Sequence, residues 1–359
     1  MRITVVIGTR PEIIKMSPII RYCEEQGLDY SLVHTGQHYS YEMDAMFFDE
    51  LELPQPEYKL NVGSGTHAEQ TGKIMVGLER ILLRDRSDVV LVQGDTNTVL
   101  GSALSAAKLN VEVGHVEAGL RSWDRTMPEE VNRLLTDHIA RYLFAPTETA
   151  ETNLLREGID GKKIWVTGNT VVDAVFQNIK IAQQRSDIHH DLGLEPGQYF
   201  LLTAHRQENV DDRERLERLI GAMRDLYTAY NLPIVFPAHP RTLKRLDEFG
   251  LSVPEGLRIL DPQGYLEFLL LEQSARAILT DSGGIQEEAC ILHVPCITLR
   301  ENTERPETLD VGANVLAGTE PHRILNAVSA MLSREASWAN PFGDGQSGRK
   351  TVEILLDSR

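Results

Sequence analysis

Short apolar runs alternate along this chain with stretches whose apolar residues recur at helical spacing, and that alternation leaves few folds open. Ile3 to Ile7 is rich in β-branched residues and stops at Gly8, and the segment from Glu12 to Ile20 then carries a helical period. Thr9 can cap this helix, Pro11 suits its first turn and Gly27 ends it, while Pro18 inside it should kink it or limit its start. Ser31 to His34, Val89 to Val92, Val113 to Val116, Tyr142 to Ala145 and Ile164 to Thr167 repeat the strand signal. Helical patterns separate most of them, such as Thr66 to Arg84 with Ile74, Leu78, Ile81 and Leu82 on one face. The order β-α-β-α predicts an α/β fold with a parallel sheet.

From Gly168 a long amphipathic segment leads into the polar stretch Gln183 to Asp191, after which the rhythm restarts. Tyr199 to Thr203, Pro233 to Pro237, Arg258 to Leu260, Ala277 to Thr280 and Pro295 to Leu299 read as strands of a second sheet. With 359 residues the chain suits two domains, set here at 1–170 and 171–346, and Arg349 to Leu356 reads as a closing helix. A net charge of −17 argues against nucleic acid and anionic membrane surfaces as partners, and no apolar run approaches a membrane span. Cys23, Cys290 and Cys296 have no metal or redox spacing. Sparse thiols and a first strand that starts at once predict a cytoplasmic protein without a signal peptide.

The stretch from Val92 to Arg133 places acids in three settings. Asp95 follows a buried-strand signal and a Gly. Glu117 ends a second such run, and Glu129 and Glu130 follow Pro128 at a helix start. In an open parallel sheet the loops after the strands gather at one edge, so these carboxylates can converge on one ligand. Converging carboxylates resist simultaneous ionisation, which predicts a raised pKa and a proton carrier near neutral pH. Each acid also has a plain reading: Asp95 as a helix cap, Glu129 and Glu130 as acids favoured at a helix start. Glu117 is harder to dismiss, because a carboxylate at a buried strand end needs a partner, for which Arg121 and Arg125 are the nearby candidates.

Basic and glycine-rich elements complement the acids. Gly8-Thr-Arg-Pro-Glu opens the first helix, whose N-terminus with Arg10 and Lys15 suits a phosphate; the plain alternative pairs Arg10 with Glu12 and leaves Lys15 solvated. It is not a GxGxxG signature, so NAD is not expected, and no cofactor or metal site is predicted. Ser282, Gly283 and Gly284 begin a helix with small residues that admit a phosphate, and Glu287 or Glu288 can take ribose hydroxyls. His205 and His239 stand at successive strand ends beside Arg206 and Arg241, where a ligand site is expected.

GTRPEIIK, QGDTNTV, HVEAGLRS, PEEVNR, LFAPT, TGN, HRQEN, DPQGY, TDSGGIQEEA and TERPE follow one another across nearly the whole chain. This set resembles the non-hydrolysing UDP-N-acetylglucosamine 2-epimerases. The resemblance implies a glycosyltransferase-B-type pair of Rossmann-like domains, an active site in the interdomain cleft, and a closing helix at about 347–359 that returns to the first domain. It implies Asp95, Glu117, Glu129 and His205 as catalytic residues. Arg10, Lys15, Ser282, Gly283 and Gly284 match the diphosphate contacts, Glu288 the ribose carboxylate, Gln263 and Phe268 the uracil contacts, and Arg305 completes the site. Gln37 and His38 match an allosteric second UDP-GlcNAc site, although Tyr39-Ser-Tyr-Glu and the loop Asn61 to Gln70 depart from the pattern of bacterial members.

The implied reaction is reversible C2 epimerisation of UDP-N-acetylglucosamine to UDP-N-acetylmannosamine through 2-acetamidoglucal, feeding surface polysaccharide or glycan precursors. The implied partners are a UDP-sugar substrate and a second copy of the chain in a homodimer. The competing readings are an epimerase for another UDP-2-acetamido sugar, such as a 2,3-diacetamido uronic acid, and a glycosyltransferase or a non-catalytic UDP-sugar sensor of the same fold.

Overall fold

The structure is a computed structural model that describes residues 1–37 and 41–358. The chain forms two compact units, Met1–Gln177 with Phe342–Arg359, and Asn178–Pro341. The division falls within a helix, later than residue 170, where the sequence pattern changes.

Unit 1 runs β1 (Ile3–Ile7), α1 (Arg10–Glu25), β2 (Tyr30–His34), α2 (Tyr41–Glu50), β3 (Tyr58–Lys59), α3 (His67–Asp85), β4 (Val89–Gln93) and α4 (Asn97–Lys108). It continues with β5 (Glu112–Val116), α5 (Pro128–Ile139), β6 (Tyr142–Ala145), α6 (Glu148–Arg156), β7 (Ile164–Val166) and the start of α7 (Thr170–Arg185). Among the described residues its seven strands are ordered β3-β2-β1-β4-β5-β6-β7, every pair parallel. The β-branched runs become strands because helices cover both faces of the sheet: β1 and β4 are buried along their whole length. α3 turns Ile74, Leu78, Ile81 and Leu82 inward, as its period predicts, and starts on a capping box of Thr66 with Glu69. α4 packs tightly on α3 because its residues are small; a side chain at Gly101 would meet Ile74 Cγ2 at 2.9 Å.

Unit 2 runs α8 (Ile188–Leu192), β8 (Phe200–Thr203), α9 (Gln207–Val210), α10 (Arg213–Tyr230), β9 (Ile234–Pro237), α11 (Pro240–Glu248), β10 (Leu257–Leu260) and α12 (Tyr265–Gln273). β11 (Ala277–Thr280), α13 (Gly283–Ile291), β12 (Cys296–Thr298), α14 (Pro306–Asp310), β13 (Asn314–Leu316) and α15 (Pro321–Leu332) complete it. Its six strands among the described residues lie in the order β10-β9-β8-β11-β12-β13, again parallel. Phe200, Phe236, Met223, Leu226 and Ile324 are among the buried side chains of its core. Both units are therefore Rossmann-like. Among the described residues no helix is long and apolar enough to cross a membrane.

α16 (Ser347–Asp357) packs against α1 in unit 1. Pro18 was expected to kink α1 or limit its start; it lies inside the helix, which runs from Arg10 to Glu25. The carbonyl of Ile14, which a proline nitrogen cannot serve, accepts instead from Ser17 Oγ at 2.8 Å. Pro18 also forms the floor on which α16 rests. A Cβ at Gly348 would lie 2.8 Å from Pro18 Cβ and 3.0 Å from its carbonyl carbon, and the Gly348 amide donates to buried Asp173 at 2.9 Å. Gly348→Val should therefore lower the stability of unit 1 by about 1–3 kcal/mol, read as a lower urea midpoint for the transition reported by Trp165; an unchanged midpoint would mean that α16 yields freely.

Candidate functional site

In unit 1 the turns after β1, β4 and β5 open at the carboxyl edge of the sheet, since these three strands are neighbours and parallel. Glu117 follows β5 with φ of +68°, a left-handed backbone that costs a non-glycine residue free energy. Its amide and that of Ala118 both donate to Phe144 O at 3.1 Å, which fixes the turn on the end of β6. The side chain is buried, receives Lys15 Nζ on both carboxylate oxygens at 2.8 Å and accepts from Gln93 Nε2. The partner expected from Arg121 or Arg125 is thus Lys15, brought from α1. Arg121 instead binds Asp137 and Glu157, at 2.7 and 2.6 Å.

Asp95 follows Gly94, whose φ is +81°. Its carboxylate takes Arg133 Nη2 at 2.7 Å and Nε at 3.0 Å, and its carbonyl accepts from Asn132 at 2.8 Å. Arg133 also donates to Glu130 at 2.7 Å, so one guanidinium joins the β4 turn to the first turns of α5. Glu130 is buried and accepts from the amides of Ser122 and Trp123. Burial alone would raise its pKa, but the bonds from the Ser122 amide, Arg133, the Ser122 hydroxyl and the Trp123 amide outweigh it and hold the pKa low. Glu129 is half-buried beside it and makes no hydrogen bond or ion pair among the described residues.

Beside Asp95, the carboxyl with a raised pKa is one that the sequence motifs did not single out. Glu12 is buried, accepts from the amides of Gly8 and Thr9, and receives the Thr96 hydroxyl on its other oxygen. Burial pushes its pKa up to about 7 against these hydrogen bonds, with the nearby Asp95 charge adding to the rise. The signal was present as a Thr-x-x-Glu capping box at residues 9–12. Arg10, which the plain alternative paired with Glu12, lies 5.5 Å from the centre of the Phe47 ring. Gln37 is buried, with its side-chain oxygen accepting from the Thr98 hydroxyl at 2.9 Å; His38 lies outside the described residues.

In unit 2, His205, at the end of β8, stands with Nδ1 3.3 Å from Asp281 Oδ1 and its side chain half-exposed. Asp281, at the end of β11, is fully buried and accepts from the amides of His205 and Arg206 and from Asn209 Nδ2. This carboxylate ties the β8 and β11 turns together and orients the imidazole, a role not read from the DSGG string. Ser282 caps α13, with Gly283 and Gly284 in its first turn; the Ser282 amide donates to the Thr280 hydroxyl at 2.9 Å. Glu288 lies on α13 with the Tyr265 hydroxyl 3.4 Å away, while Arg305 pairs with Glu287 at 2.8 Å. Gln263 donates to Asp261 O, and Phe268 is half-buried on α12. His239 accepts from the Arg241 amide as the cap of α11, and Arg241 binds Asp211.

An acid-rich strand edge in one Rossmann-like unit and a serine–diglycine helix start beside an oriented histidine in the other define an α/β enzyme built to handle a nucleotide-linked group. The family model described as UDP-N-acetylglucosamine 2-epimerase matches residues 21–356. The chain belongs to that family and is an enzyme of the isomerase class. It is 56% identical to the UDP-N-acetylglucosamine 2-epimerase of Methanocaldococcus jannaschii, with 99% of each chain covered. A solved structure of UDP-GlcNAc 2-epimerase from that organism superposes with a TM-score of 0.92 at 55% identity, covering 99% of this chain and 100% of the other. A second, described as in complex with UDP-GlcNAc and UDP, superposes with a TM-score of 0.85 at 56% identity and the same coverage.

The raised pKa of Glu12 has a measurable consequence. An unfolded chain gives up this proton near pH 4.5, whereas the native carboxyl keeps it to about pH 7. The native state binds more protons between these values, so Glu12 costs stability as pH rises through them, and the full cost is present above about pH 7. Glu12→Gln should flatten the decline of thermal stability between pH 5 and pH 7.5. A variant whose decline matches the parent's would remove Glu12 as its source.

Proposed function

We propose that the protein interconverts UDP-N-acetylglucosamine and UDP-N-acetylmannosamine by elimination and re-addition of UDP. The observation that carries this reading is the Glu117 carboxylate, fixed by Lys15 and Gln93 on a left-handed turn at the end of β5, one strand from the turn of Asp95. The hydrogen on C2 of the sugar is not acidic, because that carbon bears an amide nitrogen. Its removal as a proton is coupled to rupture of the C1–O bond: the C2–H electron pair becomes the C1=C2 bond of 2-acetamidoglucal, and UDP leaves with the C1–O pair. Return of a proton to the opposite face of C2, with attack of a UDP oxygen on C1, gives the epimer. Two faces require acid/base groups at more than one position, which Asp95, Glu117 and Glu129 supply in this proposal.

Unit 2 holds the nucleotide in this reading. The free amides at the start of α13 and the imidazole of His205 face phosphate, and Glu288 takes the ribose hydroxyls. Arg10 and Lys15 add positive charge for the departing diphosphate, and Gln263, Phe268 and Arg305 complete recognition. The cellular setting we propose is a cytoplasmic homodimer feeding surface glycan synthesis.

With UDP-GlcNAc as sole substrate in heavy water, deuterium should enter C2 of both epimers. Epimerisation without incorporation would exclude elimination, and a single free sugar product would point to hydrolysis instead. Glu117→Gln should lower kcat by at least about 100-fold while UDP binding, followed by calorimetry, persists; full activity would remove Glu117 from the chemistry.

A further inference from the structure

His115 lies in β5, fully buried, two residues before Glu117. Its two ring nitrogens face two acceptors. Nε2 is 2.8 Å from the carbonyl oxygen of Gly94, and Nδ1 is 2.6 Å from Asp137 Oδ1. A carbonyl oxygen only accepts, so Nε2 carries a hydrogen. Asp137 Oδ2 meanwhile accepts from the Gly119 amide at 3.2 Å and from Arg121 Nη2 at 2.7 Å, as an ionised carboxylate does. Nδ1 faces the other oxygen of that carboxylate, so both ring nitrogens are engaged inside unit 1.

The pair belongs to a wider buried network. Arg121 and Asp137 have fully buried side chains, and Arg121 also binds Glu157 through Nε and Nη2, at 2.8 and 2.6 Å. His115 and Arg121 thus both face Asp137, and Arg121 also faces Glu157, with His138 3.9 Å from Glu157 at the rim. Buried polar groups hold one another in place when their hydrogen bonds are made within the network.

The elements joined by this network are those that carry the acids. Gly94 precedes Asp95. Gly119 and Arg121 belong to the turn of Glu117. Asp137 sits on α5, the helix that starts with Glu129 and Glu130. We infer that His115 and Asp137 are positioning residues for the epimerase reaction: a buried histidine–aspartate pair that registers the three acid-bearing segments against one another. This rests on the assignment of those acids to the chemistry. The pair reaches each acid only through backbone and the two turns, so it acts on catalytic geometry and leaves nucleotide binding to unit 2.

The test combines kinetics with a spectroscopic signature. His115→Asn keeps a donor towards Asp137 but releases Gly94, and should lower kcat by about 100-fold while UDP binding by calorimetry stays within about twofold. His115→Gln places an amide nitrogen near the Nε2 position, keeps the Gly94 bond, and should recover about tenfold of that loss. In the unaltered enzyme with 15N-labelled histidine at neutral pH, the resonances absent from His115→Gln should show hydrogen on Nε2. A His115 with a bare Nε2 would overturn the inference, and this measurement stands even if His115→Asn does not fold. A His115→Asn enzyme with unaltered kcat would also overturn it if Glu117→Gln is inactive; if Glu117→Gln is active too, the assignment of the acids itself has failed.

Discussion

A carboxylate at the end of a buried strand must be given a partner, and the way Glu117 obtains one organises unit 1. Lys15 comes from α1, whose start is set by β1; Gln93 is the last residue of β4; the amides of the Glu117 turn are anchored on β6. Two neighbouring elements, α1 and β4, hold its side chain, and a third, β6, holds its backbone. Parallel pairing makes this feasible, because every crossover delivers its next loop to the same edge of the sheet. The left-handed backbone at Glu117 follows from the same demand: the turn gives up a relaxed conformation so that the carboxylate faces that edge.

Unit 2 solves a different problem with the same topology. Its edge presents the start of α13, with Gly283 and Gly284 in the first turn, and a histidine held by Asp281. Asp281 spends its oxygens on the backbone of His205 and Arg206, so the loop after β8 is fixed by the loop after β11. In both units a buried acid acts as a fastener between adjacent turns: Glu12 and Asp137 in one, Asp281 in the other. These acids are held by several hydrogen bonds each, whereas Glu129, on the first turn of α5, is half-buried and makes none among the described residues.

The strands with long β-branched runs were legible in the sequence to within a residue or two, because burial on both faces writes a continuous apolar signal. β3 and β13 were not, being two and three residues long with partly exposed side chains. The acid turns after β4 and β5 could be read from their Gly-flanked strand ends. Their partners could not: Lys15 and Glu117 are 102 residues apart, and nothing local distinguishes Lys15 from a solvated helix lysine. Glu12 was overlooked for the converse reason. Its capping-box spacing looks purely structural, and its closeness to Thr96 and Asp95 exists only once β1 and β4 are paired.

The close seat of α16 on Pro18 has a bearing on how the molecule is made. A ribosome finishes all of unit 2 before it produces the helix that completes unit 1. During synthesis, unit 1 waits with the bare face of α1 around Pro18 uncovered, while unit 2 already has every strand of its sheet. Maturation therefore runs out of chain order, and the acid-bearing unit becomes whole after unit 2.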